Sequence, residues 1–209
     1  LSILTKEDSV NMLKNLNISF FNRSLFFPKL SSINYIREEL NINDVFTYVE
    51  KFSNPVGSQY LITGAKNYEE VLFYRDLLKG RYKRFAIVID REGFPDINDS
   101  TNIFIYGDKE EVLEINLLDF KAKKLINSKF DIKTHIRFLE DLLSRNLKDF
   151  ENLLFINGAL LLYLKGKVHS IKEGFDITKD LFSKYDYSQI LKNLQYYANY
   201  LNYKNIYEL

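Results

Sequence analysis

Apolar residues along this chain change their spacing several times, and each change predicts a different element. Val10, Leu13 and Leu16 recur at helical intervals. Thr5 stands where that helix needs a cap, with Asp8 three positions on. Phe20, Phe21, Phe26, Phe27 and Pro28 break the period and predict a loop, and 32–40 predicts a short helix. After Asn54-Pro55 the spacing turns to strands. The run 59–63 is a first strand, and 85–89 (FAIVI) is continuously apolar, as a strand buried on both faces of a parallel sheet must be. Between them Asn67 caps a helix over 67–79, with Glu70 at the third position, Val71, Tyr74 and Leu78 on one face and Gly80 as its stop. Strand, helix, strand in that order predicts two adjacent parallel strands. The runs 102–106 and 111–116 predict a hairpin turning at Gly107-Asp108. Beyond Asn127 the pattern is helical. Ile132, His135, Ile136, Leu139, Leu142 and Leu143 mark one amphipathic helix, and three more follow.

The stretch 154–174, LFINGALLLYLKGKVHSIKEG, is apolar on nearly every side through Leu164. A helix of that kind belongs in a core, so 153–164 is expected to pack on the sheet with Leu161 buried. It is too short and too closely flanked by charge to span a bilayer. Gly166 suits a left-handed stop, and Ser170 with Glu173 has the spacing of a capping box. Ile171, Phe175, Thr178, Phe182 and Tyr185 form the stripe of the next helix. The predicted fold is α/β: a mostly parallel sheet flanked by helices, with a small helical lobe at the N-terminus. The division falls at 1–55 for the lobe and 56–209 for the α/β domain.

Composition narrows the function. With 209 residues, 46% hydrophobic, the chain can bury one sizeable core and a small lobe. Lys+Arg total 29 and Asp+Glu 28, a net charge of +1 that argues against a large nucleic-acid footprint. Two basic runs, Lys121, Lys123, Lys124 and Lys129, and Arg81, Lys83 and Arg84, read as solvated faces. No cysteine is present, which excludes disulfides, thiol catalysis and zinc–thiolate sites. With no leader or membrane span in the sequence, the cytoplasm is the default compartment.

Several segments, in order, resemble the anthranilate phosphoribosyltransferase family. Ile36-Arg37-Glu38-Glu39-Leu40-Asn41-Ile42 resembles its V-R-x-x-L-G-I segment, and Ser53-Asn54-Pro55 the end of its L-G-P-L-x-N-P motif. The strands 59–64 and 85–89 match the two that follow, 93–97 stands where the family has a magnesium-binding Asp-Glu pair, and 157–174 matches best. The resemblance implies phosphoribosyl transfer to an aromatic acid in tryptophan biosynthesis, with phosphoribosyl pyrophosphate and Mg2+. It implies that Arg37 and Asn54 contact substrate and that Asp96 takes the metal.

Departures from the family pattern are specific. Its glycine-rich pyrophosphate loop and Lys-His-Gly-Asn run lie upstream of the matched segments. The closest glycines here, Gly57 and Gly64, stand seven positions apart, too far to build a nest of converging N–H groups. Phe27 replaces the family histidine, Pro95 the first metal-binding acid, and Glu50-Lys51 the Gly-Pro. The sequence alone is therefore expected to be inactive unless the cradle sits on an N-terminal segment beyond it or on another polypeptide.

Each candidate has a plain alternative. Arg37 can fork onto a carboxylate or pair with Glu38 or Asp44. Asp96 can take magnesium or serve its loop. Asp90 ends a buried strand, where open α/β sheets place ligands, and can equally cap a helix or enter a local salt bridge. His135 and His169 lack acidic neighbours and read as structural. The clustered phenylalanines, with Met12, Leu16 and Leu25, predict an apolar contact surface covered by a second copy or another partner. A non-catalytic relative that binds a small molecule or a protein is the alternative to the enzyme; a nucleic-acid-binding relative is disfavoured by charge.

Overall fold

A computed structural model describes residues 5–40, 45–124, 132–185, 187, 189, 192–197 and 199. They fall into two compact units, one drawn from residues 1–57 and 188–209, the other Ser58–Tyr187.

The first unit is helical. Helix α1 (Lys6–Leu16) opens on the expected reciprocal cap: the Asp8 N–H donates to Thr5 Oγ1 (3.1 Å) and the Thr5 N–H to Asp8 Oδ2 (3.1 Å). Its inward face differs from expectation. Ser9 and Met12 are buried and Val10 is exposed. The hydroxyl of Ser9 donates to the carbonyls of Thr5 and Phe20 (both 3.0 Å), so a polar residue can take the inner position and fix the chain beyond the helix. Met12 packs with Leu16, Leu194 and Tyr197. The expected phenylalanine loop contains two single-turn helices, α2 (Arg23–Phe26) and α3 (Pro28–Ser31), the latter opened by Pro28 in the first turn where its missing N–H costs nothing. Helices α4 (Asn34–Leu40) and α5 (Val45–Lys51) complete the unit.

In the second unit, β1 (Tyr60–Ala65) and β2 (Arg84–Ile89) are adjacent and parallel, Tyr60 opposite Arg84 and Ala65 opposite Ile89. Helix α6 (Tyr68–Leu78) joins them and buries Val71, Tyr74 and Leu78, as predicted. Its cap is reciprocal in a shifted form: Asn67 accepts from the Glu70 N–H (2.9 Å), and Glu70 accepts from the N–H of Lys66 (2.8 Å). Strands β3 (Thr101–Tyr106) and β4 (Glu111–Ile115) form the expected hairpin. The α/β class holds, but the sheet is mixed rather than mostly parallel. Its order is β1-β2-β3-β4, and only the first pairing is parallel. The reason is the connection after β2: residues 90–100 form a loop without a crossover helix, so the chain returns antiparallel.

A single-turn 3₁₀ helix (Leu117–Phe120) precedes α7 (Ile132–Leu143), α8 (Lys148–Leu164) and α9 (Ile171–Lys184). The further helix expected after α9 falls on a stretch only partly described. Leu153, Ile156, Ala159, Leu160 and Leu164 join Ala86, Val88, Ile103 and Ile105 in the main core, so α8 lies on the sheet as predicted. Leu161 does not share that burial. It is 56% exposed, because a helix that presents one face to a sheet and another to α9 still has an outer side. The glycines at eight-residue intervals have distinct tasks. A Cβ on Gly158 would sit 2.6 Å from Thr178 Cγ2, and one on Gly174 would sit 3.0 Å from Ala159 Cα, so both allow close approach of α8 and α9. Gly166 takes the left-handed turn between the helices (φ 67°). Ser170 caps α9 by accepting from the Glu173 N–H (3.1 Å), and Glu173 accepts from the N–H of His169 (2.7 Å). Tyr185 lies beyond the end of α9 and is exposed, outside the stripe expected for it.

Two arginines close helix ends in the same manner. Arg84 donates to the carbonyls of Tyr163 (2.8 Å) and Leu164 (3.4 Å) at the end of α8, and its guanidinium lies 4.9 Å from the Tyr163 ring centre. Arg145 donates to Phe182 (2.7 Å), Ser183 (3.1 Å) and Tyr185 (3.3 Å) at the end of α9, 5.4 Å from the Phe182 ring centre. Each places a cation at the negative end of a helix.

Candidate functional site

A cleft of about 540 Å³ opens where β1 and β2 end, lined by Lys66, Asp90, Arg91, Glu92, Asp99 and Lys124 among others. Its floor is built from the sequence 90–100. Asp90 donates its N–H to the Ala65 carbonyl (2.9 Å), extending the parallel ladder by one residue. Its Oδ1 accepts from the N–H groups of Glu92 (2.8 Å) and Phe94 (3.2 Å). Asp90 thus caps the turn after β2, where a helix cap or a local salt bridge was expected as the alternative to a ligand role. The loop then crosses the end of β1 so closely that only a residue without a side chain fits at position 64. Further on, Asn157 of α8 accepts from the Ile97 N–H (2.8 Å) and donates to the Ile97 carbonyl (3.0 Å). The loop is thus tied at both ends, by a strand carboxylate and by a helix amide.

Asp96 lies between these two anchors. It is exposed as a residue, yet partial shielding from water, followed by the nearby charge of Asp90, holds its carboxyl above the usual carboxylate range. Asp90 already spends one oxygen on two backbone donors. Among the described residues no three His, Cys, Asp or Glu side chains come together. The residues present do not fit a protein-built magnesium site, since Mg2+ demands several oxygen ligands in near-octahedral array. Asp99 behaves oppositely. An ion pair with Lys124 and the N–H of Ser100 hold its carboxyl below the usual range, the Lys124 bond first. Three cations, Lys66, Arg91 and Lys124, face three acids, Asp90, Glu92 and Asp99, so the cleft is polar and near neutral.

A second cleft, about 480 Å³, lies at the start of β2 beside the end of α8. There Arg84 pairs with Glu111, and the Tyr163 hydroxyl donates to Glu111 Oε2 (2.7 Å). Burial, then that bond to Glu111, raises the Tyr163 phenol above its ordinary value. Of the basic run 81–84, Arg81 and Lys83 are exposed as expected, whereas Arg84 is half-buried and bonded to Tyr163, Leu164 and Glu111. Its long-range partners, at separations of 27 and 79 residues, left no local signal in the sequence.

Arg37 and Asn54 belong to the first unit. Arg37, on α4, donates through Nη1 to Asn34 Oδ1 (3.0 Å) and pairs with Glu50 Oε2 of α5 (3.3 Å). The expected partners were Glu38 or Asp44; the side chain of Glu38 and all of Asp44 lie outside the described residues, and the partner seen is Glu50. Asn54 takes a left-handed conformation (φ 47°) and accepts the Gly57 N–H at its carbonyl (3.1 Å), forming the turn after α5. The side chain of His135 also lies outside the described residues, while His169 contributes its backbone to the cap of α9. No described helix is long and apolar enough to cross a membrane.

Comparison with known proteins follows the same outline. The profile of the "Glycosyl transferase family, a/b domain" matches residues 2–184. An anthranilate phosphoribosyltransferase of Caldicellulosiruptor saccharolyticus is 24% identical over 191 residues, covering 86% of this chain and 55% of the relative. One from Methanococcus maripaludis (strain C7) is 24% identical over 202 residues, covering 93% and 61%. The crystal structure of anthranilate phosphoribosyltransferase from Thermus thermophilus superposes with a TM-score of 0.75 at 16% identity, covering 95% of this chain and 60% of that one. A Saccharomyces cerevisiae variant of the enzyme with Mg bound gives 0.61 at 18% identity, covering 77% and 49%. The chain spans about half to three-fifths of the length of these relatives. With the profile matched over residues 2–184 and the α/β architecture superposing, the chain belongs to the glycosyl transferase family of which the anthranilate phosphoribosyltransferases are members.

Proposed function

We propose that this chain is the α/β-bearing portion of a phosphoribosyl-transfer protein acting on an aromatic acid, and that it is inactive by itself. The observation that carries this reading is the spacing of its glycines. None lies closer than seven positions to another, so no backbone cradle for a pyrophosphate can form within the sequence. In such a transfer the protein's contribution is positioning and charge neutralisation of the leaving pyrophosphate. Lys66, Arg91 and Lys124 supply cationic donors at the strand ends, and a cradle from elsewhere would complete the set. The magnesium expected by resemblance would then rest chiefly on the substrate's own phosphates. Incubating the chain with anthranilate, phosphoribosyl pyrophosphate and Mg2+ and following anthranilate fluorescence tests the reading. No turnover is expected; turnover above background from this chain alone would overturn it.

The second reading is a non-catalytic relative that binds a small molecule or a protein. It is supported by Arg37, whose charge is already met inside the chain by Glu50. A contact surface on the first unit accompanies either reading. Met12 is enclosed by its own unit, and Phe21 packs edge-on against Phe26 (5.3 Å), so of the expected surface Phe20 and Leu25 are exposed, and Ile18, not foreseen there, is exposed as well. Self-association through these three is the simplest form of it, and sedimentation of wild type against Phe20→Asp decides it.

A further inference from the structure

The cleft at the start of β2 lies at the opposite end of the sheet from the loop 90–100. Arg84 and Ile89 bound that strand, roughly 16 Å apart at the usual rise of an extended chain, so one small group cannot fill both clefts. The two also differ in charge. The cleft at the strand ends sets three cations against three acids, whereas this one sets Lys83, Arg84, Lys109 and Lys165 against Asp108 and Glu111. Arg84 and Glu111 neutralise each other as an ion pair. The three lysines have no such partner: among the described residues, none of their ammonium groups meets a carboxylate. Asp108 is the remaining acid of the lining, which is therefore two charges positive in a chain whose net charge is +1.

The lysines converge from separate elements. Lys83 directly precedes β2, Lys109 lies in the turn of the β3–β4 hairpin, and Lys165 ends α8. The floor between them is fixed, because Arg84 bonds to the end of α8 and the Tyr163 hydroxyl to Glu111. A concave surface lined by one sign of charge concentrates the opposite sign. An ammonium is a compact point charge with three donors, well suited to phosphate. Three of them, approaching from three directions, match the three terminal oxygens of a phosphate monoester. A carboxylate offers two oxygens and half the charge. The cavity of about 480 Å³ is of the size usual for small-molecule sites, about 300–1,000 Å³, and leaves room beside Tyr60 for more than the phosphate itself. We propose that this cleft binds a dianionic phosphate group, free or carried by a small molecule, between Lys83, Lys109 and Lys165. The site is independent of phosphoribosyl transfer, because it stands at the other end of the sheet.

The experiment titrates the isotope-labelled chain with sodium phosphate and, separately, with glycerol phosphate. It is run at about pH 8, where both are dianions, with ionic strength held constant by sodium chloride. Amide shifts of Lys83, Asp108 and Gly166 report this cleft, and those of Lys66 and Lys124 report the cleft at the strand ends. Saturable shifts are expected at the first three. Tighter binding of glycerol phosphate assigns the site to a phosphorylated small molecule, and equal or weaker binding assigns it to the free anion. The double variant Lys109→Gln/Lys165→Gln changes two exposed side chains and is expected to unfold at the wild-type midpoint. It should weaken the affinity read at Lys83 and Gly166 by about ten-fold or more. Shifts that do not saturate, shifts confined to Lys66 and Lys124, or an undiminished affinity in the double variant would overturn the proposal.

Discussion

The Asn157 side chain holds Ile97 by both of its backbone groups, accepting from the N–H at 2.8 Å and donating to the carbonyl at 3.0 Å. The same amide nitrogen donates to the Leu153 carbonyl (2.8 Å) within its own helix. A side chain here imitates a neighbouring strand. It secures the loop after β2 to the core helix α8, and Ile97 itself is buried.

Asn157→Leu retains the volume and removes both bonds, leaving the buried N–H and C=O of Ile97 unmet. An unsatisfied buried backbone group costs about 1–3 kcal/mol. The variant should lose roughly 2–4 kcal/mol in urea unfolding, and amide exchange at Ile97 should accelerate more than exchange in β3. Unchanged exchange at Ile97 would show that the clamp does not hold the loop.

A Cβ on Gly64 would lie 2.1 Å from the Phe94 carbonyl oxygen and 2.3 Å from that of Gly93. Backbone cannot yield as a side-chain tip does. Gly64→Ala must therefore lift the 93–94 turn off β1, at a cost of about 1–3 kcal/mol or more. Chemical shifts of Glu92 and Phe94 should report the displacement, because their N–H groups would leave Asp90. Wild-type shifts at both would contradict the close approach.

Neighbouring leucines of α8 should respond unequally. Leu160 is buried, and Leu160→Ala should cost about 2–5 kcal/mol by the usual cavity and transfer terms. Leu161 is exposed, and Leu161→Ala should change stability by less than about 0.5 kcal/mol. Equal losses would mean that Leu161 is covered by something in solution.

Asp96 carries a carboxyl raised by shielding from water and by Asp90. A raised folded-state value means that ionisation weakens the fold. The penalty is present at neutral pH and disappears as pH falls below the usual carboxylate range, where both states are protonated. Asp96→Asn should accordingly be more stable than wild type at pH 7 and equal to it in acid. Asp99 has the opposite sign: held low chiefly by Lys124, it supports the fold at neutral pH and loses that support as pH falls through its own titration. Asp99→Asn should thus be less stable at neutral pH, and a gain there would refute the pairing. Unfolding midpoints of wild type and both variants across the acid range separate the two.

Local chemistry was legible in the sequence wherever a residue acts on its near neighbours. Thr5 and Asp8, Asn67 and Glu70, and Ser170 and Glu173 all cap within three or four positions, which the helix repeat fixes without reference to the rest of the fold. The apolar runs placed α8 on the sheet and made β1 and β2 a parallel pair, because burial of a continuous apolar segment admits few alternatives. The family, too, could be read from segments in order along the chain. What only the tertiary structure decided are relations between distant positions. The antiparallel return of β3 depends on how a loop without a helix turns back. Which leucine of α8 faces outward depends on where the sheet and α9 leave room. Arg84 on Glu111 and α8, Asn157 on Ile97, and Arg37 on Glu50 join residues 13 to 80 positions apart, and no local pattern encodes such partners. A polar side chain in an apolar helix announces that it needs a partner. Only the packed chain determines which one it meets.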